Sequence, residues 1–541
     1  MELFRLAGAS TMAISLRQPS DESFVCAKAA TAPCQKSRGP WVLTATILGS
    51  SMAFIDGTVV NVALPALQSQ LNATVSEVQW VVESYALMLA AFLLLGGSLG
   101  DHYGRRRAFL AGVIIFATAS VWCGLAVNIT QLIAARAVQG FGGALLVPGS
   151  LAIISASFPE RERGRAIGTW SGFTAITAAI GPLLGGWLIE HVSWRAVFFI
   201  NLPLALIVLL ISFRCLQESR DETERARLDW LGAALTAIAL GAIIYGLIES
   251  SRLGFRHPAI LIALGGGLLV SLLFLYLEAR IRNPMLPPSL FRSRDFSGAN
   301  ILTFLLYAAL GGTLFFLPLN LIQVQGYSAT SAGAALLPFI LILFSLSRWG
   351  GGLVERYGAK VPLVVGPLVA AAGFALFSIP SSGGDYWHTF FPAVVILGLG
   401  MAVSVAPLTT TVMTSVPENR VGVASGINNA VSRAAGLLAI AALGLVMIHV
   451  FNRSLDHRLS MLTLPSTATK ALDMQRGNLA AMAMPSGITP SLSMHIKQAI
   501  NSSFVDGFRA VMLIGAALAV GSAFISLLLI QGKPHESTKG I

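Results

Sequence analysis

Four charged side chains stand inside long apolar runs: Asp56, Glu83, Arg136 and Arg433. A carboxyl group at bilayer depth can take up and release a proton or meet a cationic solute. A guanidinium there can stabilise a carboxylate or contact an anion. Asp56 lies in Phe54-Ile55-Asp56-Gly57-Thr58. It reads either as a proton or substrate carboxylate or as a structural acid satisfied by Thr58 and Asn61. Glu83, three residues from Trp80, either reaches outer water or lines the outer mouth of a cavity. Arg136, one turn before Gln139, either holds a hydrogen-bond network that changes when a carboxylate is protonated or extends to the headgroups. Arg433 reads as a gate, as a contact for an anion or partner, or as half of an ion pair joining two parts of the chain. Enzymatic chemistry lacks its residues. There is no G-x-x-x-x-G-K-[ST] for a nucleotide and no H-E-x-x-H or H-x-x-x-H for a metal. No cofactor is expected.

The elements that hold these groups follow from composition. Of 541 residues, 55% are hydrophobic and 11% charged, and mean hydropathy is +0.74. A soluble surface needs roughly 25% charged residues, so the chain reads as an all-α polytopic membrane protein. Fourteen apolar segments are long enough to span: 41–66, 78–100, 108–127, 131–157, 165–189, 194–213, 230–249, 258–277, 297–323, 328–347, 361–380, 387–415, 421–449 and 504–531. The net charge of +11 then reflects basic inner loops rather than a nucleic-acid partner. Arg105, Arg106 and Arg107, and likewise Arg161, Arg163 and Arg165, fall on one side, against Arg195, Arg252 and Arg256 in short loops on the other. That bias predicts two cytoplasmic termini. Trp41, Trp80, Trp187, Trp194, Trp230, Trp349 and Trp387 fall near span ends, as an aromatic belt would place them. Cys26, Cys34, Cys123 and Cys215 form no C-x-x-C pair, and no disulfide is expected.

An internal repeat orders the spans. Gly97-Ser98-Leu99-Gly100-Asp101-His102-Tyr103-Gly104-Arg105-Arg106 returns as Gly351-Gly352-Leu353-Val354-Glu355-Arg356-Tyr357-Gly358-Ala359-Lys360, and Phe158-Pro159-Glu160 returns as Val416-Pro417-Glu418. Spans 1–6 thus correspond to 9–14. The expected organisation is a cytoplasmic disordered tail (1–40), a six-helix bundle (41–213) and an insert with two extra transmembrane helices (214–296). A second six-helix bundle (297–531) carries a long outer loop (450–503), and a short cytoplasmic tail (532–541) follows. Paired halves point to a transporter with its site at their interface, where acid and guanidinium groups would face a watery chamber.

Two further motifs suit moving parts. Asp101 beside Arg105, Arg106 and Arg107, echoed by Glu355 and Arg356, can form a state-dependent lock or a fixed cap. Gly181, Pro182, Gly185 and Gly186 give one helix small contact faces and a bend.

Taken with the Leu64-Pro65 end of span 1, Arg136 with Gln139-Gly140, and Trp194-Arg195 with Phe199-Ile200-Asn201-Leu202-Pro203, these motifs cover about residues 41–531. Together they are similar to the 14-span drug:proton antiporter branch of the major facilitator superfamily, the EmrB/QacA type. The sequence departs at Thr177, where the span 5 motif usually begins with glycine, and at His102, usually a stronger base. The resemblance implies proton coupling at Asp56 and Arg136, alternating access governed by the Asp101 cluster, and a seal against proton leak at the span 5 motif. The residues themselves add Glu83 as a second acid for proton coupling and Asn61, Gln139 and Arg433 as cavity or gate residues. Its implied partners are protons, membrane lipid, amphipathic and often cationic organic compounds, and a periplasmic adaptor if the host is Gram-negative. The implied location is the plasma membrane. A symporter, an exporter of one specific metabolite, and a sensor or scaffold docking through loop 450–503 are the other readings.

Overall fold

The computed structural model describes residues 39–531 apart from 220–228, 282–283, 285, 384 and 418–419. Residues 1–38 and 532–541 lie outside the described residues, as do Cys26, Cys34 and Glu418 and the side chain of Glu355. Gly39 and Pro40, expected in the first tail, begin a helix. Apolar segments become helices because hydrocarbon offers no other partner to backbone N–H and C=O groups.

The helices are α1 (Gly39–Gln70), α2 (Val75–Tyr103), α3 (Arg105–Leu125), α4 (Ile129–Ser157), α5 (Glu160–His191), α6 (Ala196–Phe199), α7 (Asn201–Cys215), α8 (Trp230–Leu253) and α9 (Pro258–Glu278). After them come α10 (Arg294–Leu319), α11 (Ala329–Ala334), α12 (Leu337–Tyr357), α13 (Lys360–Phe377), α14 (Tyr386–Thr389), α15 (Phe391–Thr414), α16 (Val421–Leu459), α17 (Ser466–Asp473) and α18 (Pro490–Leu529). Among the described residues, twelve helices are long and apolar enough to cross a membrane, or thirteen if the bent pair Val75–Leu93 and Leu95–Tyr103 is one span. The fourteen segments expected above all fall on helices. α5 opens with Glu160, Arg161, Glu162, Arg163 and Arg165, and its later stretch 172–189 carries no charged residue.

Packing sorts the helices into groups. α2 packs on α4, α3 on α4, α1 on α5 and α7; α13 packs on α15 and α18, and α10 on α16 and α18. α8 and α9 pack on each other, and α8 lies against α2 and α16. Two ends can be told apart. The proximal end holds Gly39, where Phe158 lies close, and Gln531, whose N–H donates to Asp295 at 2.7 Å. The distal end holds Gln70, Val75 and His191.

The repeated Tyr-Gly turns explain their own sequence. Gly104 has φ +112° and Gly358 has φ +72°, a region that penalises any Cβ. Each donates its N–H to the carbonyl four residues back, Gly100 and Val354 respectively.

Two expectations change. Trp194 is fully buried, because its indole N–H donates to Gln70 Oε1 at 2.9 Å, so it does not join the lipid-facing belt. Loop 450–503 is mostly helix: α16 continues to Leu459 and α18 begins at Pro490. The remainder folds over the distal end, where Gln68 Nε2 donates to the Asn478 carbonyl at 2.8 Å and Leu479 is fully buried.

Candidate functional site

Asp56 and Arg136 form an ion pair inside the first helix group. Asp56 is 0% exposed and Arg136 1%, so neither faces a watery chamber in this conformation. Their tolerance at depth comes from each other. Gln139 follows Arg136 by three residues, which puts both on one face of α4. Gln139 Nε2 donates to Asp56 Oδ1 at 2.8 Å while its Oε1 accepts from Arg136 at 2.8 Å. Arg136 Nε also donates to the Val81 carbonyl at 3.1 Å. Its guanidinium lies over the Tyr85 ring, 4.1 Å from the centroid. Asn201 Nδ2 donates to Ser120 Oγ at 3.0 Å and reaches Asp56 Oδ1 at 3.5 Å. Five helices therefore contribute to one network around this carboxylate: α4 and α7 touch Asp56 of α1 directly, and α2 and α3 hold Arg136, Gln139 and Asn201. Removing one partner of such a buried pair typically costs ~3–5 kcal/mol.

Gln139 thus belongs to this sealed network and not to a cavity or gate. The network was only partly legible in the sequence. Asn201 stood in a noted motif without a role, and Ser120 and Tyr85 gave no signal, because only packing brings α3 and α2 to Asp56.

Glu83 is fully buried, and both carboxyl oxygens lack a hydrogen-bond partner among the described residues. It neither reaches solvent nor lines a mouth here. It stands one turn from Gln79, whose Nε2 donates across to the Ile440 carbonyl on α16 at 2.9 Å. Protonating Asp56 would break an ion pair; protonating Glu83 would break nothing.

A cavity of about 360 Å³ lies between the two groups. Thr58, Asn61 and Pro182 form one side, and Leu314, Phe339, Phe344, Ser347 and Val405 contribute to the other. Asn61 and Pro182 therefore do line it. Phe344 is 49% exposed, and the α12 wall residues run from Phe339 to Ser347 toward the proximal end. At the distal end the groups are joined. A Cβ on Gly333 would meet the Pro182 carbonyl oxygen at 2.1 Å, and one on Gly186 would meet that of Ala329 at 2.4 Å. Thr330 Oγ1 donates to Glu190 at 2.6 Å, and Gln323 donates to Gln68 Oε1 at 2.8 Å. Gly181 and Gly185 face α1 instead, against Thr58 and Val59.

Residues 46–440 match the Major Facilitator Superfamily. The chain belongs to that superfamily. Among its relatives, it is 34% identical over 492 residues to the multidrug resistance protein Stp of Mycobacterium tuberculosis, covering 88% of this chain and 89% of that one. It is 32% identical over 510 residues to the tetracenomycin C resistance and export protein of Streptomyces glaucescens, covering 93% and 94%. In fold it is similar to a bacterial homologue of the lysosomal transporter Spinster crystallised inward-facing, with a TM-score of 0.63 at 18% identity over 91% of this chain and 98% of that one. This member of the major facilitator superfamily is a multi-pass membrane transporter of small molecules and not an enzyme.

The remaining expected residues separate. Asp101 pairs with Arg105 at 2.8 Å, and Arg105 is buried. Arg107 approaches Glu218 at 3.7 Å, and Arg106 donates to the Phe213 carbonyl at 3.2 Å. All of these lie in the first group or just beyond it. Arg356 lies over the Tyr357 ring. Arg433 is half-buried on α16 without an ion-pair partner among the described residues, so the ion pair joining two halves is not formed here.

Proposed function

We propose that the chain exports amphipathic organic compounds across the plasma membrane in exchange for protons, as a member of the 14-span drug:proton antiporter branch. Two six-helix halves with α8 and α9 between them alternate access, and both termini are cytoplasmic. The observation that supports this best is the placement of α1. Asp56 points into the sealed ion-pair network, while Thr58 and Asn61, within two turns of it, line the cavity. A proton reaching Asp56 would release Arg136 and its hydrogen bonds, and the same helix carries that change to the cavity wall.

In the proposed cycle the proximal-open carrier takes a compound from the cytoplasm. Opening of the distal end exposes Asp56 or Glu83 to outside protons, and protonation favours release. One charge crossing 100 mV supplies about 2.3 kcal/mol, which sustains a roughly 50-fold gradient. The test is dye efflux in everted vesicles with an imposed pH gradient. Asp56→Asn is expected to abolish proton-driven accumulation, and undiminished transport in that variant would remove Asp56 from coupling. The sign of the substrate-induced pH change separates antiport from symport.

A further inference from the structure

We propose that the cavity takes uncharged compounds, an apolar body bearing a carbonyl or similar neutral hydrogen-bonding group, and that the Asn61 amide is the contact for that group. The proposal rests on the export reading for direction of transport but not for binding.

Among the described residues no charged side chain lines the cavity. Leu314, Phe339, Leu343 and Val405 make most of its wall apolar. The nearest acid along α1, Asp56, is fully buried and neutralised by Arg136. A charged compound would leave water for a wall without a counter-charge, and an unpaired charge in apolar surroundings is costly. Charge of either sign is therefore selected against.

The polar groups on the wall are Thr58, Asn61 and Ser347, and they are not equivalent. Thr58 directs its hydroxyl into its own helix, 3.1 Å from the Phe54 carbonyl and 3.0 Å from that of Ile55. Asn61, one turn further along α1, is half-buried, and its amide has no hydrogen-bond partner among the described residues. It stands near the closed distal junction. Gly181 of α5 lies against Thr58, and Gly185 lies against Val59. Pro182, between them, lines the cavity and sets its carbonyl against Gly333 of α11. Asn61 is thus at the distal floor of the cavity. Ser347 is exposed and lies about 16 Å nearer the proximal end than Leu336, at 1.5 Å per residue. Between those two positions the wall residues of α12 are apolar: Phe339, Ile340, Leu343 and Phe344.

An amide both donates and accepts. A ketone, lactone or amide group seated on this floor completes the hydrogen bonding of Asn61, whereas a pure hydrocarbon leaves it unmade. The bound compound is therefore oriented, with its neutral polar end at the distal floor and its apolar body toward the proximal opening.

Three dyes of one ring family separate the possibilities: Nile red, neutral with a ring carbonyl; Nile blue, a cation; and resorufin, an anion. Fluorescence titration of the purified full chain in nanodiscs, against empty nanodiscs, would measure their binding. Nile red is expected to bind at least tenfold more tightly than either charged dye. Asn61→Leu keeps the shape of the side chain and removes its hydrogen bonding. It is expected to weaken Nile red at least fivefold and to leave pyrene, a hydrocarbon without a polar group, unchanged. Monodisperse elution of the variant checks folding. Tighter binding of either charged dye, Nile red binding unmoved by Asn61→Leu, pyrene weakened as much as Nile red, or no binding of any dye above empty nanodiscs would overturn the assignment. Nile red that binds in this Asn61-dependent way without being driven across vesicle membranes upholds the neutral site and counts against the export reading instead.

Discussion

At the residue scale, Asp56 and Arg136 share one cost. Each is buried, and each is the other's counter-charge. Arg136→Ala leaves a buried carboxylate, so a loss of about 3–5 kcal/mol of stability is expected, visible as a lower melting temperature in detergent. Asp56→Asn also leaves a buried charge, that of Arg136, but keeps the size and the hydrogen bond from Gln139, so it is expected to lose less stability than Arg136→Ala while losing proton coupling. A double-mutant cycle measures the pair directly: if the two changes prove additive in stability, the ion pair contributes nothing. Glu83 behaves differently because no partner loses a bond. Glu83→Gln is expected to leave stability within about 1 kcal/mol of wild type while shifting the pH dependence of transport.

At the element scale, α5 and α11 close the distal end through backbone contact. Gly333 lies against the Pro182 carbonyl, and Gly186 against that of Ala329. A side chain at either position forces the helices apart. Gly333→Val is expected to abolish transport while retaining expression, because it disfavours the distal-closed state and leaves the first helix group intact. Labelling of a cysteine on the distal stretch of α1 would rise in that variant. Glu190 adds a pH-sensitive contact to the same junction. Hydrogen bonds from Thr330 and then Ser328 hold its carboxyl below the usual range, with His191 a smaller influence in the same direction. A lowered value means the contact favours closure at pH above the ordinary carboxylate range and is lost as the pH falls through the lowered value. Acid on the distal side is therefore expected to promote opening, and Glu190→Gln to remove the acid dependence of distal labelling. Labelling that stays pH-dependent in Glu190→Gln would assign the effect elsewhere.

At the scale of the whole molecule, the polar links between the two groups among the described residues, from Gln68, Gln79 and Glu190, lie at the distal end. The segment folded over that end spans both groups, since Gln68 belongs to α1 and Asn478 follows α17. Conversion to a distal-open state must break these links together. A short thiol cross-linker between cysteines placed at positions 190 and 330 is expected to arrest transport reversibly, and reductant cleavage of the linker to restore it. Arrest that fails to appear despite complete cross-linking would show that the junction does not move during transport.

The sequence by itself determined the membrane class, the helix positions and the repeat, because those depend on local quantities: hydropathy over about 20 residues, turns that demand glycine at Gly104 and Gly358, and motif order. It also singled out Asp56, Glu83, Arg136 and Arg433, since a charge inside an apolar run is visible without coordinates. Only the tertiary structure decided who meets whom. Ion pairing depends on contacts between helices distant in sequence, so Asp56 with Arg136 and Asn201, the isolation of Glu83, the withdrawal of Gln139 from the cavity and the burial of Trp194 had no local trace. Exposure was undecidable for the same reason. A charged residue inside an apolar run must face something polar, and whether that is water or another side chain is settled by which helix packs beside it.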